Sequence, residues 1–347
     1  MPQLRTGLLL LVGLLAAPAM RSAVAANAPR IPSEMRAAAI DRAGGPEVLT
    51  LHTVRVPQPD ADEVLIAVHT AGVASWDVAI RRHPDAIKNS RFPLVLGTDG
   101  SGVIAAVGSR VTRFKVGDQV YTYSWDNPKG GFYAEYAAVP AERVGPLPKG
   151  LTLTQAGAIG TTALTAIQGV DDALHVRSGE MLLIHGAAGG VGTLAVQFAK
   201  LRGAKVLATI TAEDERALVE RLGADAVVDS RHGDLAAAVH AFAPAGLDAI
   251  LAFAGGDALE RCIGLLKSDG MVAYPTGVQP PRARAGLRIV RYDAIAGPKE
   301  FERLNAAIEN MRLEVAIAAQ FPLSAAATAH ERVEAGHVPG KIVLQIR

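Results

Sequence analysis

Hydrophobic and polar positions along this chain follow one rhythm up to about Ala156 and another beyond it. Between Met35 and about Gly160 the apolar residues alternate over short stretches. Val64, Ile66 and Val68 fall on one face of Glu63 to His69. The runs Val120-Tyr121-Thr122-Tyr123 and Phe132 to Val139 follow turns at Val116-Gly117-Asp118 and Gly130-Gly131. Period-two alternation broken repeatedly by Gly and Pro predicts short strands, and several in succession predict a β-rich, barrel-like domain.

After Ala156 the apolar residues form unbroken runs separated by helical patterns. Met181 to His185 is nearly continuous, as a strand covered on both faces requires. Val191, Leu194, Ala195 and Phe198 then recur at helical spacing as far as Gly203, whose tolerance of left-handed backbone ends a helix at little cost. Lys205 to Ile210 reads as the next strand, and Glu213 to Leu222, closed by Gly223, as the next helix. Further strands are expected at Ala226-Val227-Val228, Ala249 to Ala252 and Met271 to Tyr274. Strands alternating with helices at this spacing specify right-handed crossovers and a parallel sheet. The fold class is therefore α/β, in two tightly joined domains, with no internal repeat and no low-complexity linker.

Composition narrows the function. The chain has 347 residues with 35 basic against 34 acidic side chains, so no charge excess draws it to nucleic acid or an acidic membrane. Its one basic cluster, Arg282, Arg284, Arg288 and Arg291, is spread over ten positions and reads as a solvated face. Cys262 is the only cysteine, which excludes an internal disulfide and a thiolate-rich zinc site. The N-terminus differs from the rest: Arg5, an apolar run from Leu8 to Ala17, Pro18, then Ala23-Val24-Ala25. Those three parts make a secretory signal over residues 1–25, too short for a stable membrane anchor. Export to the periplasm is expected if it is used; the alternative is a cytoplasmic protein starting at Met35.

The chemistry signal lies in His185-Gly186-Ala187-Ala188-Gly189-Gly190-Val191-Gly192. Glycines there let the chain turn sharply and let a pyrophosphate approach the main chain, while the following helix offers unpaired N–H groups to the phosphate charge. Placed after a strand and before a helix, the pattern predicts dinucleotide binding. At the tip of the next strand, an NAD site commonly carries Asp or Glu to hold the adenosine ribose. Here the residues are Thr209, Ile210 and Thr211. With no carboxylate in that run, and with Arg216 and Arg231 as candidate phosphate partners, the expected cofactor is NADPH rather than NADH.

These segments resemble the medium-chain dehydrogenase/reductase superfamily in its zinc-free quinone oxidoreductase branch. The resemblance runs from Met35 to Arg347 and is carried by Ala43-Gly44-Gly45-Pro46-Glu47-Val48-Leu49, Ala71-Gly72-Val73, Gly97-Thr98-Asp99-Gly100-Ser101-Gly102, Phe114-Lys115-Val116-Gly117-Asp118, the glycine loop, and Gly336 to Leu344. It implies a GroES-like catalytic domain over 35–160, a Rossmann domain over 161–292 and a C-terminal return to the catalytic domain over 293–347. The zinc ligands of the family's alcohol dehydrogenases fall on Ala74, Thr98 and Asp99, and Ala156 to Ala166 holds no Cys, His, Asp or Glu, so no zinc is expected. Without a Lewis acid, the reaction implied is hydride transfer to a quinone or enone, in which the substrate itself delocalises the developing charge.

The same resemblance assigns the glycine loop, Ala188, Gly189, Gly190, Val191 and Gly192, to the pyrophosphate, and Thr211 and Ser230 to the adenosine end; for Arg216 and Arg231 a solvated surface arginine is the alternative. Thr162, Phe253 and Thr276 fall on the nicotinamide side; a core aromatic is the alternative for Phe253. Many relatives carry an asparagine after Ala-Gly-Val and a tyrosine in the following loop. This chain has Ala74-Ser75-Trp76-Asp77 and Arg82-His83-Pro84-Asp85 instead. Ser75 and Trp76 are expected in the substrate pocket, and Tyr123 as its wall or as proton donor, with half-buried packing as the alternative. An enoyl-thioester reductase and a non-catalytic NADPH-binding protein are the competing functions. Relatives imply a homodimer.

Overall fold

The structure is a computed structural model that describes residues 31–88 and 90–347. The expected signal segment, 1–25, lies outside the described residues.

The alternating N-terminal sequence forms two sheets. Glu34–Ile40 pairs with Thr50–Arg55 and Leu94–Val95. The second is built on the long strand Glu63–Val73, which takes Asp99–Val107, Tyr136–Pro140 and Lys341–Gln345 as antiparallel partners. Gln119–Tyr123 and Val144–Pro146 extend it on one side and Ile317–Pro322 on the other. The closing strand therefore returns from the end of the chain to the middle of the N-terminal sheet. Glu63–Val73 is buried along most of its length, so an apolar strand sits where pairing and packing are densest.

The second half forms one fully parallel sheet of six strands. Its order is Ala226–Asp229, Lys205–Ile210, Met181–His185, Leu247–Ala252, Leu266–Pro275 and Arg288–Tyr292. The α/β class, with a GroES-like barrel and a doubly wound parallel sheet, is thus the observed architecture. Gly203 and Gly223, read as helix stops, take φ values of 80° and 106°.

One element differs from expectation. The helix read over Glu213 to Leu222 begins as a 3₁₀ turn, Glu213–Glu215, before the α-helix Arg216–Arg221. The basic cluster is a solvated face as read, all four arginines being exposed, with Arg288 and Arg291 on the strand Arg288–Tyr292. Arg282 and Arg284 pair there with Asp257 and Glu260.

The chain order of the parallel strands reverses between Met181–His185 and Leu247–Ala252, and such a switch point opens a crevice at the strand ends. The closing segment bends into that crevice, where the Gly340 N–H donates to the Ala188 carbonyl at 2.9 Å. Among the described residues no helix is long and apolar enough to cross a membrane.

Candidate active site

The glycine loop begins at Gly186, whose φ of 82° turns the chain off its strand. Its N–H donates to the Thr209 hydroxyl at 3.0 Å. The same hydroxyl meets His185 Nδ1 at 2.9 Å, and burial lowers that histidine to about 4, so it stands neutral in the core. A Cβ at Gly192 would lie 2.2 Å from the Gly186 carbonyl oxygen, and one at Gly190 would lie 2.6 Å from Lys341 Cδ. The loop is therefore tight for a physical reason: helix, turn and closing strand all approach within contact distance there.

Above it lies a cleft of about 1230 Å³ between the parallel sheet and the barrel. Of the residues expected at the site, Ser75, Trp76, Tyr123, Thr162, Gly189, Gly190, Val191, Gly192, Phe253 and Thr276 line it together. Phe253 is held at its strand end by an N–H bond to the His185 carbonyl at 2.9 Å, and Thr276 accepts from Arg291 Nε at 2.8 Å.

Four expected residues are not in the lining of this cleft. Ala188 is buried under the loop, its carbonyl engaged by Gly340. Ser230 is buried with its hydroxyl on the Ile210 carbonyl at 2.9 Å. Thr211 is bonded by Glu215, which receives its N–H at 2.8 Å and its hydroxyl at 3.3 Å. Arg216 does not reach for a phosphate; it is paired with Glu213 and donates to the Val227 carbonyl at 3.0 Å. The premise that no carboxylate stands at the strand tip is also corrected. Reading along the strand looks for an acid at its last residues, whereas the 3₁₀ turn folds Glu215 back onto Thr211 from four positions on.

Next to Trp76 and Thr161 of the cleft lining lies a buried group that the sequence reading passed over. Asp77, at the start of the helix Ser75–Arg82, accepts the N–H groups of Ala74 at 2.9 Å and Thr98 at 3.1 Å. Asp99 accepts the Thr161 N–H at 2.8 Å and also its hydroxyl, and its other oxygen has no hydrogen-bond partner. Lys341 is only 4% exposed, with its ammonium 5.2 Å from the Trp76 ring centroid, a cation–π distance. Trp76 itself donates to the Thr98 hydroxyl at 2.6 Å.

Burial, then the charge of Asp99, raises Asp77 to about 7, and burial raises Asp99 as well. Burial lowers Lys341 against the pull of both carboxylates. Among the described residues no three His, Cys, Asp or Glu side chains gather as a metal site. The cation that faces the carboxylates is instead a lysine, and its signal was the Gly340-Lys341 pair in the closing motif. Tyr123 lines the barrel side of the cleft, where burial and then the charge of Asp99 push its hydroxyl up to about 12.

Comparison with known proteins agrees with this architecture. Residues 60–149 match the family model for the alcohol dehydrogenase GroES-like domain, and residues 222–344 that for zinc-binding dehydrogenases. A quinone oxidoreductase of Mus musculus is 33% identical over 326 residues, which cover 89% of this chain and 97% of that protein. The structure of the quinone oxidoreductase from Coxiella burnetii superposes with a TM-score of 0.80 at 31% identity, over 90% of this chain and all of that one (100%). A mycobacterial protein solved in complex with NADPH gives a TM-score of 0.79 at 28% identity, over 90% and 100% of the two chains.

Proposed function

Since the chain belongs to the medium-chain dehydrogenase/reductase superfamily, in its quinone oxidoreductase-like branch of oxidoreductases, we propose that it reduces a quinone or an activated alkene with a nicotinamide dinucleotide and without zinc. The observation that carries this reading is the cleft itself. A glycine loop and helix N-terminus line it together with Trp76 and Tyr123, and Ala74, Thr98 and Asp99 fall at the positions that the resemblance gives to the zinc ligands of alcohol dehydrogenases. Bound there, the dinucleotide would supply the hydride.

The residues present fit that group. Gly190, Val191 and Gly192 line the cleft at the start of the helix Gly192–Leu201, where first-turn amides would meet a pyrophosphate. Phe253, Thr162 and Thr276 surround the inner end of the cleft, where a flat ring fits against an aromatic wall. Tyr123 and Trp76 flank the space left for an acceptor, and both exclude water. Hydride addition to a quinone or enone leaves negative charge on the acceptor's oxygen. Tyr123, protonated throughout the neutral range, holds a proton in the wall of that space.

NADPH, the donor expected from sequence, rests on a phosphate contact that Arg216 does not offer, with Arg231 the remaining candidate.

Titrating the purified full chain with each reduced dinucleotide by fluorescence, then adding a benzoquinone, tests the reading. Binding followed by stoichiometric oxidation is expected. Binding without oxidation of the dinucleotide by quinones or enones would support a non-catalytic role, and stoichiometric zinc in the purified protein would overturn the metal-free reaction.

A further inference from the structure

We infer that Glu215 makes this chain select NADH over NADPH. The inference rests on a dinucleotide lying along the glycine loop, as proposed above. The strand Lys205–Ile210 is the immediate neighbour of the glycine-loop strand, so its tip stands where the adenosine ribose of such a dinucleotide arrives. That ribose is the one place where the two cofactors differ, by a 2′-phosphate.

A 2′-phosphate needs donors: free N–H groups, hydroxyls or a guanidinium. At this tip the donors of Thr211 are engaged by a carboxylate. The Thr211 N–H and hydroxyl both donate to Glu215, which is held at 6% side-chain exposure. The second Glu215 oxygen meets His337 Nδ1 at 3.1 Å, and His337 Nε2 meets Asp214 at 3.1 Å. His337 is anchored in turn by Arg332, whose guanidinium donates to its carbonyl at 2.8 Å. Glu215 is thus fixed from two sides, by the strand tip and by the closing segment. Arg216 is tied to Glu213 and to the Val227 carbonyl. Asp229, paired with Ile210 on the adjoining strand, accepts the Arg231 N–H at 2.7 Å and adds a further negative charge to the same rim.

Elementary chemistry then separates the two cofactors. A fixed carboxylate can accept from ribose hydroxyls, as the acid of an NAD site does. The same carboxylate repels a phosphate dianion a few ångströms away, and the protein cannot rearrange without losing the Thr211 and His337 bonds. Arg231, exposed on the following loop, is the cation left to a phosphate.

Parallel fluorescence titrations of the purified full chain with NADH and NADPH decide the matter, with thermal shift by adenosine 5′-monophosphate against adenosine 2′,5′-bisphosphate as a readout independent of turnover. NADH is expected to bind about tenfold or more tightly than NADPH. Glu215→Gln should narrow that gap, and Glu215→Lys should invert it. Equal or tighter binding of NADPH by the unaltered protein overturns the inference, all the more if Arg231→Ala abolishes it. A folded protein that binds neither dinucleotide overturns the proposed function and this inference with it, which distinguishes the two failures.

Discussion

Tyr123 is the residue whose assignment can be tested most directly. Its ring closes one wall of the cleft, and its hydroxyl stays protonated far above neutral pH because of burial and the nearby charge of Asp99. Tyr123→Phe removes the proton and keeps the ring. Turnover with a quinone is expected to fall by about two orders of magnitude, with the dissociation constant for the dinucleotide unchanged. Equal turnover would remove Tyr123 from the chemistry. The identity of this candidate was legible in the sequence as a tyrosine at a strand end. The buried cation was not. Lys341 lies near the end of the chain, far in sequence from Trp76, Asp77 and Asp99, and only the pairing of Lys341–Gln345 with Glu63–Val73 brings it beside them.

At the scale of elements, the crossing of the glycine loop with its helix carries the proposed dinucleotide site. Gly192 is the tightest point, since a side chain there would press on the Gly186 carbonyl at 2.2 Å. Gly192→Ala should therefore destabilise the fold by about 1 to 3 kcal/mol in denaturant unfolding and weaken dinucleotide binding, because the loop must open to admit the methyl group. A variant with unaltered stability and binding would show that the loop is not held closed as described. The strand–loop–helix order was readable from apolar runs and glycine spacing, because a parallel strand buried on both faces must be apolar throughout. The 3₁₀ turn Glu213–Glu215 was not, because its start by a tight turn depends on where Glu215 finds the Thr211 N–H.

Across the whole molecule, a buried polar cluster joins the beginning, middle and end of the chain. Arg81 is wholly buried and donates to the Gly44 carbonyl at 3.1 Å, to His330 Nδ1 at 3.1 Å and to Glu334 at 2.6 Å. The other His330 nitrogen meets the Tyr133 hydroxyl at 3.1 Å. Burial, then the charge of Arg81, lowers His330 from 6.5 to about 3, so the folded state holds it neutral. The unfolded chain then binds a proton that the folded chain refuses between those values. His330's contribution to stability is complete above about 6.5 and is lost as the pH falls towards 3, by up to about 1.4 kcal/mol per pH unit. His330→Gln retains an acceptor for Arg81 and a donor for Tyr133. Its stability between about pH 4 and 6, relative to the unaltered protein, should rise with acidity by about one proton's slope; parallel slopes in urea unfolding would refute the assignment.

The sequence by itself determined the fold class, the glycine loop and the cleft's aromatic residues, since periodicity, turn chemistry and backbone freedom act over a few neighbouring positions. Tertiary structure decided the rest. It brought Lys341 to Asp77 and Asp99, turned Arg216 onto the Val227 carbonyl and folded Glu215 back onto Thr211. Charge and hydrogen bonding act through space, and the residues they join here come from separate turns and opposite ends of the chain.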